Sequence, residues 1–428
     1  MLICFGVSGT APCICEYSQD GGASFKQAEL KQQALYGNPS VRFIEAKLTG
    51  LRPGEKLQYR INLGGQSIFE STARALPPPD KEVRVALAGD IACGSITLRR
   101  LLNESSSFDP DLLILTGDLL SVPANANAYL GKFFPEFATV MSKTPVAVCP
   151  GDKDISTNKY DPDKKDNRNL DLTNEGMAFF SFWKEPLNGP GKAGEKNTPV
   201  VQGAAQKVEE FQKAAGSSYP RIANYSFDLG DSHWLVLDGG AYVDFTDEDW
   251  RKWIKDDLKS KKKTWNFAVI HQAPFSSDPN HGEEQRARLL SSTFEEAGVD
   301  IVFSGHSHSY QRSCPMHFSV VSQAPNSDPD TDPESGQGYV YGKFKVDKNF
   351  DGVEKRKPDG VIYVVTGAAS ADLAEKKIQD DKTRWQPYTK MFYSEKGSIS
   401  LLQLSGKELV LKQVSEEGQE IDRIRISK

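Results

Sequence analysis

The stretch VRVALAGD, Val83 to Asp90, joins an almost continuously apolar strand to an acidic turn. DLLILTGD, Asp111 to Asp118, and PVAVCPGD, Pro145 to Asp152, repeat the pattern. Strands that are apolar at nearly every position are typical of sheets covered on both faces. Helical patterns such as SITLRRLLNESS and DEDWRKWIKDDLKSK separate several of these strands. The alternation of strands and helices predicts an α/β domain.

Residues 1–78 show a different pattern, in which short strands alternate with turns such as QDGG, RPGEK and LGGQ. No helical period appears, so the sequence predicts a small β-sandwich. The segment LTGLRPGEKLQYRI resembles a loop and strand of a fibronectin type III domain. Against that pattern the first strand is missing, and we expect the natural start to lie upstream. The proline-rich ALPPPDKE is interpreted as a stiff linker that separates residues 1–78 from residues 79–428.

The second part carries two insertions and a distinctive end. A polar insertion from about Thr157 to Pro220 contains one amphipathic helix pattern, around Val208 to Ala215. The acidic segment SQAPNSDPDTDPESGQGYVYG shows no periodicity and is predicted to be a turn-rich loop. The closing SISLLQLSGKELVLKQVSEEGQEIDRIRIS alternates strongly, which predicts antiparallel hairpins.

Composition excludes several classes of protein. The 428 residues are 38% hydrophobic and 26% charged, which is typical of a globular chain. A formal net charge of −6 argues against a general nucleic-acid binder, which needs basic surface to neutralise phosphates. We expect no transmembrane segment, because no apolar run approaches the ~20 residues of a membrane span.

MLICFGVSG lacks the basic start of a signal peptide. The six cysteines include no CxxC pair, which argues against a structural zinc site.

The polar residues at the strand ends are all carboxylates or imidazoles, and most follow a glycine that permits a tight turn. They are Asp90, Asp118, Asp152, His271, His306 and His308. A mixed oxygen and nitrogen donor set suits zinc, manganese or iron, whereas calcium and magnesium prefer oxygen alone. One acid after one strand is usually a turn residue. Half of the six histidines at such positions, beside three acids, instead predict a metal site.

The ordered set AGDIA, LTGDLLS, PGDKD, AVIHQAP and SGHSHSYQRS resembles the five metal-binding motifs of the calcineurin-like metallophosphoesterases. With the sandwich in front, the chain is most similar to the purple acid phosphatase branch. The resemblance implies an α/β fold of two facing mixed β-sheets flanked by helices, preceded by a small fibronectin type III-like β-sandwich. It also implies one or two divalent or trivalent ions, of which iron, zinc and manganese are expected. The implied ligands are Asp90, Asp118 and His308 for one ion, and Asp118, Asp152, His271 and His306 for the other.

The reaction implied by the resemblance is hydrolysis of phosphate monoesters by metal-bound hydroxide, with the ions neutralising charge in the transition state. The expected partners are a small phosphorylated substrate or inorganic phosphate, and no nucleic acid. Secreted, periplasmic and luminal members are common, so a location outside the cytoplasm is expected by resemblance.

Several positions depart from the family pattern. Ser121 stands where purple acid phosphatases carry a tyrosine ligand, and Ala92 stands where other members supply a histidine, so one ion is expected to be weakly held or absent. The family's Gly-Asn-His-Asp/Glu reads Gly-Asp-Lys-Asp here, with Asp152 adding a negative charge and Lys153 replacing a histidine that contacts phosphate or assists the leaving group. One hypothesis is that the Lys153 ammonium compensates Asp152, or lies near the carboxylates of Asp90 and Asp118 and partly replaces the weakly held ion.

His281 lies ten residues after His271, where plant-type members carry a histidine that faces the substrate, and it is a candidate general acid. Two interpretations therefore stay open. The chain is either a metal-dependent phosphatase or a catalytically impaired relative that acts as a binding or scaffold protein.

Overall fold

The computed structural model describes residues 1–122, 124–155, 168–172, 177–184, 186–190, 196–280, 285–324 and 339–428. Its N-terminal part is made of strands, which are β1 (Leu2–Ser8), β2 (Cys13–Ser18), β3 (Lys26–Gln27), β4 (Glu29–Leu35), β5 (Asn38–Lys47), β6 (Lys56–Leu63) and β7 (Gln66–Arg74). These strands form a three-stranded sheet, β1-β5-β4, and a four-stranded sheet, β3-β2-β6-β7. The predicted sandwich is confirmed, while β4 arises from a Lys- and Gln-rich stretch that the sequence pattern did not identify. The division at residue 78 stays a prediction.

The remaining described chain carries the larger sheets and the helices. Its strands are β8 (Val83–Ala88), β9 (Leu112–Leu115), β10 (Val146–Val148), β11 (Asn169–Asp171), β12 (Val200–Gln202), β13 (Tyr225–Leu229), β14 (Ser232–Leu237), β15 (Trp265–Ile270), β16 (Ile301–Ser304), β17 (Tyr310–Ser313), β18 (Met316–Ala324), β19 (Tyr339–Val346), β20 (Ile362–Thr366), β21 (Thr389–Tyr393), β22 (Ser398–Ser405), β23 (Glu408–Ser415) and β24 (Glu420–Ser427). Its α-helices are α1 (Ile96–Phe108), α2 (Ala126–Ala128), α3 (Phe134–Met141), α4 (Phe179–Phe182), α5 (Ala205–Ala215), α6 (Glu248–Ser260), α7 (Ser291–Ala297) and α8 (Lys376–Asp380).

Two mixed sheets form the core of this part, as predicted. One has the order β10-β9-β8-β22-β23-β24, and the other has the order β13-β14-β15-β16-β20-β17-β21. In the first sheet β8, β9 and β10 are parallel, and the predicted C-terminal hairpins add to β8 in antiparallel register. The Ser400 hydroxyl on β22 donates to the Thr366 hydroxyl on β20 at 2.9 Å, which joins the two sheets through a buried polar contact. The carboxyl ends of β8, β9, β10, β15 and β16 carry the acidic and histidine motifs.

Local chemistry explains the two long helices. The Ser95 side chain accepts a hydrogen bond from the Leu98 N–H and caps α1, and the Asp247 side chain caps α6 in the same way. On α6 the buried residues Trp250, Ile254 and Leu258 recur every four positions, so one face packs on the core.

Three more expectations have outcomes in the fold. The amphipathic helix around residues 208–215 is confirmed as α5. The stretch EEQRARLLSSTFEEAG, residues 283–298, also has a helical pattern, and its described residues form a 3₁₀-helix, Arg286–Leu290, followed by α7. The predicted acidic loop is wrong at its two ends, which extend the paired strands β18 and β19, and its middle, residues 325–338, lies outside the described residues. Among the described residues no helix is long and apolar enough to cross a membrane.

Candidate metal centre

The turns after the apolar strands bring the predicted acids and histidines together. The backbones of Asp90, Asp118 and His306 are left-handed, with φ of 60°, 50° and 67°. Residues other than glycine rarely adopt this conformation, and it costs free energy that the surrounding structure must offset. At Gly151 a Cβ would overlap the backbone of Asp118. The backbone is thus strained and closely packed at these turns, and this conformation brings the side chains together.

One group of ligand atoms centres on Asp152. Its Oδ1 lies 3.0 Å from His271 Nε2 and 3.2 Å from His306 Nδ1. The other ring nitrogen of His271, Nδ1, is 2.8 Å from the carbonyl oxygen of Thr116. Because Nδ1 donates to that carbonyl, Nε2 is the nitrogen that faces the carboxylates. The ligand atoms of Asp152, His271 and His306 all lie within 4.8 Å of one another.

A second group consists of Asp90, Asp118 and His271, whose ligand atoms also lie within 4.8 Å of one another. His308 is beside it, with Nε2 3.6 Å from Asp90 Oδ1 and Nδ1 2.6 Å from the carbonyl oxygen of Asp372. Asp90 Oδ1 is buried and has no hydrogen-bond partner among the described residues. A buried carboxylate oxygen without a donor is costly, and a cation would satisfy it. The donor set and this oxygen both fit a metal site.

Lys153 enters the same cluster. Its backbone N–H donates to Asp118 Oδ1 at 3.0 Å, and its ammonium donates to Asp118 Oδ2. The Asp118 side chain is 2% exposed, whereas that of Lys153 is 30% exposed. The ammonium therefore pairs with the buried carboxylate and stays in reach of solvent.

The protonation equilibria reflect this concentration of negative charge. Burial raises the pKa of Asp118, and the neighbouring Asp152 carboxylate raises it further. Burial would also raise the pKa of Asp152, but hydrogen bonds from His271 and His306 hold it well below its usual value. Burial opposes the charged form of His271, yet Asp118 and Asp152 raise its pKa to about 10. Burial likewise opposes the charged Lys153, and Asp118 and Asp152 again outweigh it and raise its pKa. The carboxylates of the cluster thus stabilise positively charged groups near them.

Supporting residues hold the motif turns in place, and the sequence pattern did not identify most of them. Asp154 is buried, and its two carboxylate oxygens accept hydrogen bonds from the backbone N–H groups of Leu119 and Gly151. It thereby ties the turn after β9 to the turn after β10. Burial and the Asp118 carboxylate raise the pKa of Asp154 to about 7. In the sequence, the one indication of this supporting role is that Asp154 is the second acid of the PGDKD motif.

A second support lies under the two-histidine turn. The Ser307 hydroxyl donates to Asp278 Oδ2 at 3.0 Å, and Gln311 Nε2 donates to the Ser307 hydroxyl at 3.0 Å. Gln311 Oε1 accepts from the backbone N–H of Ser277 at 2.7 Å. All four residues are buried, so this polar network fixes the backbone between His306 and His308.

The remaining predicted positions lie as follows. Ser121 is exposed and Ala92 is buried, and the Ala92 side chain cannot bind a metal ion. His281 lies outside the described residues, so its candidate role stays a prediction. His233 and His317 are paired with acids elsewhere, His233 with Asp228 and Asp257, and His317 with Glu295 and Asp359.

The family model for calcineurin-like phosphoesterases matches residues 83–310. The chain belongs to this family. Among curated proteins it is 26% identical to purple acid phosphatase 21 of Arabidopsis thaliana over 287 residues, which cover 65% of this chain and 55% of that protein. It is 22% identical over 378 residues to probable inactive purple acid phosphatase 27 of the same plant, which cover 79% of this chain and 51% of that protein. The chain spans about half the length of these curated relatives.

Solved structures support the fold of this calcineurin-like phosphoesterase. Purple acid phosphatase PPD1 from yellow lupin (Lupinus luteus) seeds matches with a TM-score of 0.68 and 17% sequence identity. The match covers 100% of this chain and 72% of the lupin chain. The predicted family, its purple acid phosphatase-like branch and the fold class are thus confirmed, and the family implies metal binding.

Proposed function

We propose that this chain is a metal-dependent phosphoesterase that hydrolyses phosphate monoesters. The observation that carries the proposal is the convergence of three carboxylates and three imidazoles from five strand ends at one partly open site. Such a site has no evident structural purpose, because it places mutually repelling acids on strained backbone next to solvent. The family membership supplies the reaction class, and the residues supply the donor set.

The residues would divide the work as follows. The candidate ligands for one or two ions are Asp90, Asp118, Asp152, His271, His306 and His308, and zinc, iron and manganese are the ions that suit mixed oxygen and nitrogen donors. When bound, these ions polarise phosphate oxygens and acidify water. The half-buried Lys153 ammonium adds a fixed positive charge that attracts the phosphate dianion. Phosphate monoesters, or inorganic phosphate as product, are the ligands that such a charge distribution favours.

A second candidate is a metal- or phosphate-binding protein without turnover. Two observations favour it. Ser121 and Ala92 remove the donors that other members supply, and Lys153 pairs with the carboxylate of Asp118. One relative is itself named a probable inactive purple acid phosphatase. The location outside the cytoplasm, by contrast, rests on the resemblance to purple acid phosphatases.

Turnover of 4-nitrophenyl phosphate distinguishes the two candidates. The purified full chain would be stripped with a chelator, reloaded with zinc, manganese or iron, and assayed from acidic to neutral pH. We expect turnover that requires metal and falls at least about 100-fold in Asp118→Asn, because a buried carboxylate and its negative charge are lost from the middle of the cluster. Asp256→Asn is the matched control, since Asp256 is exposed and pairs with Lys252 on α6. Metal-independent turnover, or equal loss in both variants, would refute the phosphoesterase proposal. Metal binding without turnover would support the second candidate.

A further inference from the structure

Asp118 is the carboxylate that the family resemblance places in the ligand sets of both ions. Here both of its oxygens contact residue 153. The backbone N–H of Lys153 donates to Oδ1 at 3.0 Å, and the ammonium donates to Oδ2. The Lys153 backbone is itself fixed, because its carbonyl accepts from the N–H of Ala124 at 3.0 Å. The Lys153 ammonium, a cation of the protein itself, thus pairs with Oδ2 of Asp118.

The two groups of ligand atoms are unequal. Asp152, His271 and His306 converge on one point, and they form the set of one carboxylate and two imidazoles that holds a single catalytic zinc ion in other hydrolases. The other group consists of Asp90, Asp118 and His271, so it shares its one imidazole with the first group, and its Asp118 is the partner of Lys153. His308 Nε2 lies 3.6 Å from Asp90 Oδ1, and His308 is not a member of either group among the described residues.

The charges of the site also favour the Asp152, His271 and His306 group as the position of the metal ion. The three carboxylates of Asp90, Asp118 and Asp152 need positive charge because they are largely buried from water. The Lys153 ammonium neutralises one of them, and one divalent ion neutralises the other two. A second divalent ion would have to displace the ammonium from Asp118 or lie beside it, and two cations at such a separation repel each other strongly in a low-dielectric site.

We propose that this chain builds a mononuclear centre, in which Asp152, His271 and His306 hold one divalent ion and the Lys153 ammonium takes the place of the second. Asp90 and His308 then lie outside the ligand set of that ion. This inference rests on the proposed metal-dependent function and specifies its ion count and its second positive charge.

Metal stoichiometry tests the inference without any assay of activity. The full chain would be dialysed against excess zinc chloride, and in parallel manganese chloride, freed of unbound metal, and analysed by mass spectrometry for ions per chain. We expect about one ion in the wild type and about two in Lys153→Met, because methionine has a similar length and leaves Asp118 Oδ2 free. Lys153→Arg keeps the charge and should hold about one ion. Lys252→Met removes the lysine of an exposed lysine–aspartate pair on α6 and is the matched control, with about one ion expected.

The outcomes separate this inference from the proposed function. Two ions in the wild type would overturn the mononuclear centre and leave the metal-dependent function standing. One ion in both the wild type and Lys153→Met would also overturn the inference, because Lys153 would not be the group that excludes the second ion. No ion in the wild type would overturn the inference and the metal-dependent function together. A circular dichroism spectrum of each variant establishes that the fold is intact.

Discussion

A buried ion pair joins the two large sheets through β17 and β24, and its removal should be costly. Arg312 on β17 donates to Asp422 on β24 through Nε at 2.6 Å and through an Nη2 group at 3.1 Å. The hydroxyl of Tyr310 donates to the same carboxylate at 2.7 Å. The side chains of Arg312 and Asp422 are only 6% and 9% exposed. Asp422→Ala would therefore leave a buried guanidinium and a buried hydroxyl without their acceptor.

The expected magnitude follows from that burial. Loss of one partner of a buried, hydrogen-bonded pair costs about 3 to 5 kcal/mol, because the remaining charge is left uncompensated. With an unfolding entropy of about 0.7 kcal/mol/K for the roughly 350 residues after the linker, the melting temperature should fall by about 4 to 7 °C. Differential scanning calorimetry of the wild type and the variant measures this shift.

Two further variants make the test specific. Glu420→Ala removes an acid from the same strand, but one whose partner Arg423 is about as exposed as Glu420 itself, so its effect should stay below about 1 kcal/mol. The double variant Arg312→Met, Asp422→Leu removes both charges and should recover most of the loss. A shift below about 2 °C in Asp422→Ala, or no recovery in the double variant, would refute the view that an unpaired buried charge determines the cost.

Three other variants test buried groups and the metal site. Lys184 is buried, and burial lowers its pKa to about 8, below an unfolded value near 10.5, so the wild type should gain stability as the pH rises between these values. Lys184→Met should therefore raise the melting temperature at about pH 7 and do so less at about pH 10, whereas equal gains would indicate a packing effect. Burial raises the pKa of Asp238 to about 6. The protonated carboxyl group therefore stabilises the fold fully below about pH 4, and this contribution of about 3 kcal/mol is lost as the pH rises through 6. Asp238→Asn should flatten that fall in urea unfolding experiments, and an unchanged slope would contradict the assignment. His271→Ala should weaken zinc binding more than about 100-fold in competition with a chromogenic chelator, while His317→Ala, remote in its own ion pairs, should leave it unchanged.

Local features of the sequence were enough to predict the main elements. The apolar strands that end in Gly-Asp, Ile-His and Gly-His turns could be predicted from short segments. A stretch of about eight residues contains both the apolar side chains that are buried and the polar residues of the turn. The caps of α1 and α6 are local in the same sense. By contrast β4 has few apolar residues, and its alternation is masked by lysine and glutamine, so it forms because β5 offers it a partner.

Long-range contacts were beyond the sequence pattern. Arg312 and Asp422 are 110 positions apart, and neither stands in a motif that indicates the other. The helical pattern at 283–298 gives a 3₁₀-helix before α7, and there the buried Arg288 donates to the Pro274 carbonyl oxygen at 2.7 Å, a contact with another segment of the chain. Such contacts depend on how sheets and loops meet, and periodicity carries no information about them.

The exchange of two residues in the Gly-Asp-Lys-Asp turn is best understood as one coupled change. Asp152 and Lys153 are neighbours in sequence, and their formal charges cancel, yet the structure directs them to opposite sides of the cluster. Asp152 faces the imidazoles of His271 and His306, whereas the Lys153 ammonium faces Asp118. The added carboxylate strengthens the histidine-rich position for a cation, and the added ammonium weakens the carboxylate-rich one. Ala92 offers no donor atom, and Ser121 offers only a hydroxyl, so all four departures from the family pattern agree with the proposed mononuclear centre.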